Sequence, residues 1–161
     1  MVVGAGATQA NNPTSLAKLP YDRVRVLAPG SLVARVPTVL VINPEIAARH
    51  GIATLGDLVR HAKAHPGQLN YASAGVGNLQ HLGMELLQSL AAIKLNHVPY
   101  KGAAPAFIDL ISGQVDLMFA NIVGALPHVM SGRVCALAGS SRNRAAMLPQ
   151  VPSVAAIGSA Q

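Results

Sequence analysis

Leu69 to Leu82, LNYASAGVGNLQHL, constrains the fold more than any other stretch of the chain. A short apolar run passes into a loop broken by Gly75 and Gly77, and the loop passes directly into a sequence of helical period. Asn78 is placed to cap that helix, with Leu79, Leu82, Leu86, Leu87 and Leu90 assigned to one face. A strand that turns into a helix through glycines is expected to leave backbone N–H groups unpaired at the helix start, and such a start attracts anions.

The same alternation continues on both sides. TVLVI (38–42) is β-branched and reads as a buried strand that stops at Asn43-Pro44. Thr54 and Asp57 form a short-armed capping box for a helix over 54–65, which Pro66-Gly67 ends. Further strands are expected at 69–72, 95–98, 115–119 and 134–138, with a helix over 104–112 closed by Gly113 and a shorter helical stretch leading to Gly132. Strands alternating with helices predict an α/β fold, an open and mostly parallel sheet flanked by helices.

At 161 residues, with 51% hydrophobic and 11% charged residues, the chain can build a core and is too short for two full domains. The net charge of +6 comes from singly scattered Lys and Arg with 3% aromatic residues, a pattern that argues against nucleic acid and suits encounter with small anions. One cysteine, Cys135, excludes an intrachain disulfide framework, and its apolar strand suggests inert packing. No apolar run reaches the length of a membrane span. No Lys or Arg precedes Lys18 and no sustained apolar run follows the start, so no export signal is read there.

Three loops carry the polar groups that could meet a ligand. Ser73, Ala74, Gly75, Gly77 and Asn78 lie at the carboxyl end of a predicted strand, where α/β sheets bind ligands, and the alternative is an ordinary strand-to-helix turn. Tyr100, Lys101, Gly102 and Ala103 should lie on the same sheet edge, with Tyr100 as a wall or donor and Lys101 either a ligand contact or a solvated charge. Asn121 follows the strand VDLMFA, as a ligand contact or a cap. Gly75-x-Gly77 also begins a dinucleotide-type pattern, but the third glycine position is Gln80 and no GKS or GKT follows. That leaves a nucleotide- or phosphate-binding enzyme or regulator on the same loop as the alternative function.

His61 and His65 are four apart on a predicted helix, yet no carboxylate or cysteine completes a metal set beside them, so a polar helix face is expected and no metal. His81 falls in the first turn behind the glycine loop and could bond across the core or touch a ligand. No GxSxG or other catalytic constellation is present, and no cofactor is expected.

The segments LPYD (19–22), NYASAGVGNLQHLGMELL (70–87), HVPYKGAAPAFIDLISGQVDLMF (97–119) and LPQVPSVAAIG (148–158) resemble, in order and spacing, the substrate-binding proteins of tripartite tricarboxylate transporters, the Bug or TctC-type family. The resemblance implies a type II periplasmic-binding-protein (Venus flytrap) fold that holds a small organic carboxylate between two lobes and delivers it to membrane transporter subunits. It implies a non-catalytic receptor in the periplasm, whose carboxylate-binding loop falls here on Ser73, Ala74, Gly75, Gly77 and Asn78. It divides the chain into a first-lobe remnant with a crossing strand (1–40), the second α/β lobe (41–133) and a return strand (134–161). Relatives are commonly about twice as long, so the chain is expected to be a fragment lacking N-terminal and C-terminal parts. Ala120 stands where many relatives carry Asp, which implies preference for a simple carboxylate over an amino acid.

Overall fold

A computed structural model describes residues 37–141 and 145–154. The segment LPYD and most of the predicted first-lobe remnant lie outside the described residues, as does the end of LPQVPSVAAIG.

Strand β1 (Thr38–Ile42) leads into α1 (Pro44–His50) and α2 (Leu55–Ala64). Then follow β2 (Asn70–Ser73), α3 (Leu79–Ala91), β3 (Asn96–Pro99), α4 (Ala103–Ile111), β4 (Leu117–Asn121), α5 (Ile122–Met130) and β5 (Cys135–Gly139). The strands form one sheet in the order β3-β2-β4-β1-β5. Strand β2 runs parallel to β3 and β4, whereas β1 is antiparallel to both β4 and β5. Four strands therefore point one way, and β1, wedged between β4 and β5, makes the sheet mixed. The reading of mainly parallel neighbours is corrected to that extent.

Both faces of the sheet are covered, which is why TVLVI is apolar without alternation. Leu40 and Ile42 join Tyr71, Leu117 and Phe119 under α1, α2 and α3, where Ile46, Leu58, Met84 and Leu87 pack. Val39 and Val41 join Ala72, Met118 and Ala120 on the opposite face, under Ala106 and Leu110 of α4 and Ala125 of α5. Full burial of each such aliphatic side chain contributes about 1.5–3 kcal/mol. Strand β5 belongs to this same sheet, and a boundary at residues 40/41 passes through β1.

Helix α1 was not expected, although its signals are local. Asn43 Oδ1 accepts from the N–H groups of Glu45 and Ile46, Pro44 occupies the first helical position, and Gly51 ends the helix at φ 63°. The Asn43 amide also donates to the carbonyls of Leu110 and Ile111, tying the start of α1 to the end of α4. Asp116, the polar break in an otherwise apolar run, accepts from Asn70 N–H at 2.6 Å and anchors the start of β2. The capping box of α2 is present as read, with Thr54 and Asp57 bonding reciprocally.

Two packing expectations are corrected. Helix α3 turns Gln80, Met84 and Leu87 inward, while Leu79, Leu82, Leu86 and Leu90 are exposed. At about 100° per residue Leu79, Leu86 and Leu90 share a side from which Leu87 is turned away, and period alone does not say which side meets the sheet. Cys135 is exposed, because it opens the edge strand β5 before the buried pair Leu137 and Ala138.

Candidate functional site at the carboxyl edge of the sheet

Because β2, β3 and β4 are parallel, their carboxyl ends share one edge of the sheet, and α3, α4 and α5 begin there. The loops 73–78 and 100–102 are joined directly. Tyr100 N–H donates to Ser73 carbonyl at 2.9 Å, and a Cβ added at Gly75 would lie 3.7 Å from the Tyr100 carbonyl oxygen. Gly75 (φ 143°) and Gly77 (φ 78°) hold conformations that other residues adopt only with strain.

Three of the loop's backbone donors are engaged within the protein. Ala74 N–H reaches Gln80 Oε1 at 3.4 Å, Gly75 N–H reaches Ser73 Oγ at 3.3 Å, and Gly77 N–H donates to His81 Nδ1 at 3.2 Å. Asn78 caps α3 through His81 N–H at 2.8 Å, and its amide donates to Gln80 Oε1 at 3.1 Å. The N–H groups of Leu79 and Gln80, in the first turn of α3, have no intrahelical acceptor. Gln80 itself is buried and bridges the loop at the position where a dinucleotide fingerprint has its third glycine.

The second and third loops contribute differently. The Tyr100 hydroxyl donates to Asp109 Oδ2 at 2.7 Å and so braces α4; burial, then Asp109, pushes its pKa up to about 12. Gly102 (φ 125°) precedes α4 without any side-chain cap, and Ala103, the first helical residue, is exposed. Lys101 between them is exposed. Asn121 is exposed and opens α5 without bonding its backbone. Two helix starts at this edge are thus uncapped by side chains, and each carries the partial positive charge of its N-terminus.

Beneath the glycine loop lies an arrangement that the sequence reading missed. The parallel register pairs Tyr71 with His97, so both rings sit on the face covered by α3. Their centroids are 4.8 Å apart, and the His81 ring lies 4.2 Å from that of His97. Ser73, fully buried, places Oγ 2.7 Å from His97 Nε2 and 3.1 Å from the Gly75 carbonyl. Burial, then His81, lowers the pKa of His97. The Tyr71 hydroxyl donates to Glu85, and burial with that carboxylate pushes its pKa up. His81 therefore bonds locally to the loop, and the sequence signal for the cluster was Tyr71 and Ser73 two apart on a strand with His97 on the next.

Three further histidines pack together at the C-terminal ends of α1 and α2, and His128 of α5 packs against Phe107. His61 lies tilted against His50 at 4.4 Å and stacks on His65 at 4.6 Å, and among the described residues no group of acidic, histidine or cysteine side chains is arranged to hold a metal.

The family model for the tripartite tricarboxylate transporter family receptor, TctC, matches residues 1–161. The chain belongs to this family. It is 37% identical over 140 residues to protein BugT of Bordetella pertussis, an alignment covering 87% of this chain and 42% of BugT. Among solved structures, R. palustris Rpa4515 with adipate superposes with a TM-score of 0.88 at 28% identity, covering 95% of this chain and 50% of that one. MatC (Rpa3494) from Rhodopseudomonas palustris with bound malate gives a TM-score of 0.76 at 28% identity, covering 93% and 48%. The receptor-family chain thus spans about half the length of the proteins it matches. Its mixed α/β sheet flanked by helices is the fold of periplasmic binding proteins.

Proposed function

We propose that this chain supplies the ligand-holding edge of a periplasmic solute receptor for a small organic carboxylate. The observation that carries the reading is the convergence on one sheet edge of the glycine loop, two helix starts without side-chain caps and the exposed Lys101. Each of these favours negative charge, and hydrogen bonding to a carboxylate needs no further chemistry. Ala74, Gly75, Gly77 and Asn78 form one wall, with the fully buried Ser73 behind it holding the Gly75 carbonyl, Gly102, Ala103 and Asn121 form the adjoining one, and Tyr100 braces them from behind. The sheet is the second lobe, and the partner lobe closes over the ligand.

The adipate and malate carried by the two solved relatives support a carboxylate as ligand class. The ligand is delivered to the membrane subunits of a tripartite tricarboxylate transporter, a reading supported by the family's description as a receptor of that transporter family. The role is capture without catalysis. Ala120, buried against α4 and α5, brings no acid to the end of β4, which favours a simple carboxylate over an amino acid.

The test is thermal stabilisation by adipate, malate and aspartate, measured on the wild-type chain and on Gly75→Val. A rise in Tm with a dicarboxylate that the variant lacks supports the reading. Stabilisation unchanged in Gly75→Val refutes the site, and stabilisation by ATP or NAD alone replaces the reading with a nucleotide-binding one.

A further inference from the structure

The Gly77–His81 contact gives the loop a proton-dependent donor. Gly77 N–H donates to His81 Nδ1, which requires that nitrogen to be unprotonated, so the ring carries its proton on Nε2. That nitrogen faces Glu85 Oε1 at 3.9 Å, on the next turn of α3. In this state the Gly77 donor is consumed inside the protein. When Nδ1 takes up a proton it can no longer accept, two N–H groups confront each other, and the Gly77 N–H must turn elsewhere. Glu85 is positioned to hold the resulting imidazolium.

We propose that His81 is a positioning residue of the carboxylate site, withholding the Gly77 donor when neutral and releasing it to the ligand when protonated, so that carboxylate capture is accompanied by proton uptake. The proposal rests on the carboxylate reading given above. By linkage the coupling runs both ways: a carboxylate that takes the Gly77 N–H leaves Nδ1 without its donor and favours the charged ring.

The groups around His81 set the limits of the device. On α3 it faces Glu85, whose carboxylate also accepts from Tyr71 hydroxyl and Gln88. From β3 it faces His97, stacked at 4.2 Å, and from β2 Tyr71, at 6.5 Å. The two imidazoles lie in stacked contact, so a charge on one opposes a charge on the other. The pKa of His97 is lowered, first by burial and then by His81, and its Nε2 lies against Ser73 Oγ, so of the two rings it is His81 whose nitrogen meets the Gly77 N–H.

NMR on the full chain tests this in two steps. Without ligand, acidification should move the Gly77 amide resonance in step with titration of the His81 ring, and His81→Gln, which can still accept from Gly77 but does not titrate, should abolish that movement. A Gly77 amide indifferent to His81 titration overturns the inference, whatever the acids do. With adipate or malate added, affinity should rise by up to about tenfold per pH unit on acidification, the limit for one linked proton, and this slope should vanish in His81→Gln. Binding of either acid with no pH slope and no change at the His81 ring overturns the inference and leaves the carboxylate reading intact. Failure of both acids to bind at any pH, with the ligand-free coupling present, refutes the carboxylate reading while supporting the Gly77–His81 switch.

Discussion

The chain stacks histidines in two places, and the two stacks do different work. On α1 and α2, His50, His61 and His65 lie with ring centroids 4.4 and 4.6 Å apart, and their recorded polar partners are Gln68 and the His61 carbonyl. Under the glycine loop, His81 and His97 lie 4.2 Å apart, and each holds a group of the loop, Gly77 N–H or Ser73 Oγ. Centroid spacings are similar in both, although the His50–His61 pair is tilted. The difference is what the free nitrogens meet, and that follows from which strand and loop the rings are placed beside.

The largest expected contrast is in stability. Tyr71 is fully buried and forms the floor of the loop stack, so Tyr71→Ala should cost about 3–5 kcal/mol in denaturant unfolding, whereas His50→Ala on the outer stack should stay within about 0.5 kcal/mol. Equal losses would mean that the two stacks are not energetically distinct.

A matched glycine pair separates stability from binding. Gly51 (φ 63°) ends α1 beside the outer stack, and Gly77 (φ 78°) lies in the loop over the inner one. Alanine at either should cost about 1–2 kcal/mol, because both positions are left-handed. Only Gly77→Ala should also weaken stabilisation by adipate or malate in thermal melts, and an identical effect at Gly51 would break the comparison.

Acidification should destabilise through both stacks, unequally. The pKa values of His61 and His97 are lowered, in each case first by burial. The unfolded chain, with histidine near about 6.5, therefore binds the proton more readily than the folded one. Stability is full above that value and falls as pH drops below it toward the lowered folded values. His97→Gln should flatten the fall in Tm between pH 7 and pH 5, each an assay condition of about that value, more than His61→Gln does. The reverse order would place the more buried imidazole in the outer stack.

The smallest effect belongs to the surface of α2. Arg60 pairs with Asp57 at 3.0 Å, but its side chain is 79% exposed. Arg60→Ala should change stability by less than about 0.5 kcal/mol and leave the acid dependence of Tm unaltered.

What local chemistry fixes was readable along the chain. The Thr54–Asp57 capping box, the Asn78 cap, the apolar run of β1 and the alternation of strand and helix all stand where the residues put them, because each depends on neighbours a few positions away. The helix Pro44–His50 was equally local in its caps and was missed because Asn-Pro was read only as a strand stop.

The rest required the fold. Which side of α3 meets the sheet was undecided by a helix apolar on more than one side, and packing chose Met84 and Leu87. The opposite direction of β1 is a property of strand pairing and leaves no mark on TVLVI. The glycine loop was legible as a strand-to-helix turn, since glycines, cap and helix lie in one short segment. That its donors are held by Gln80 and His81, and its serine by His97, was decided by the tertiary structure. The parallel register of β2 and β3 sets a residue 24 positions away against Ser73, at a distance no local pattern encodes.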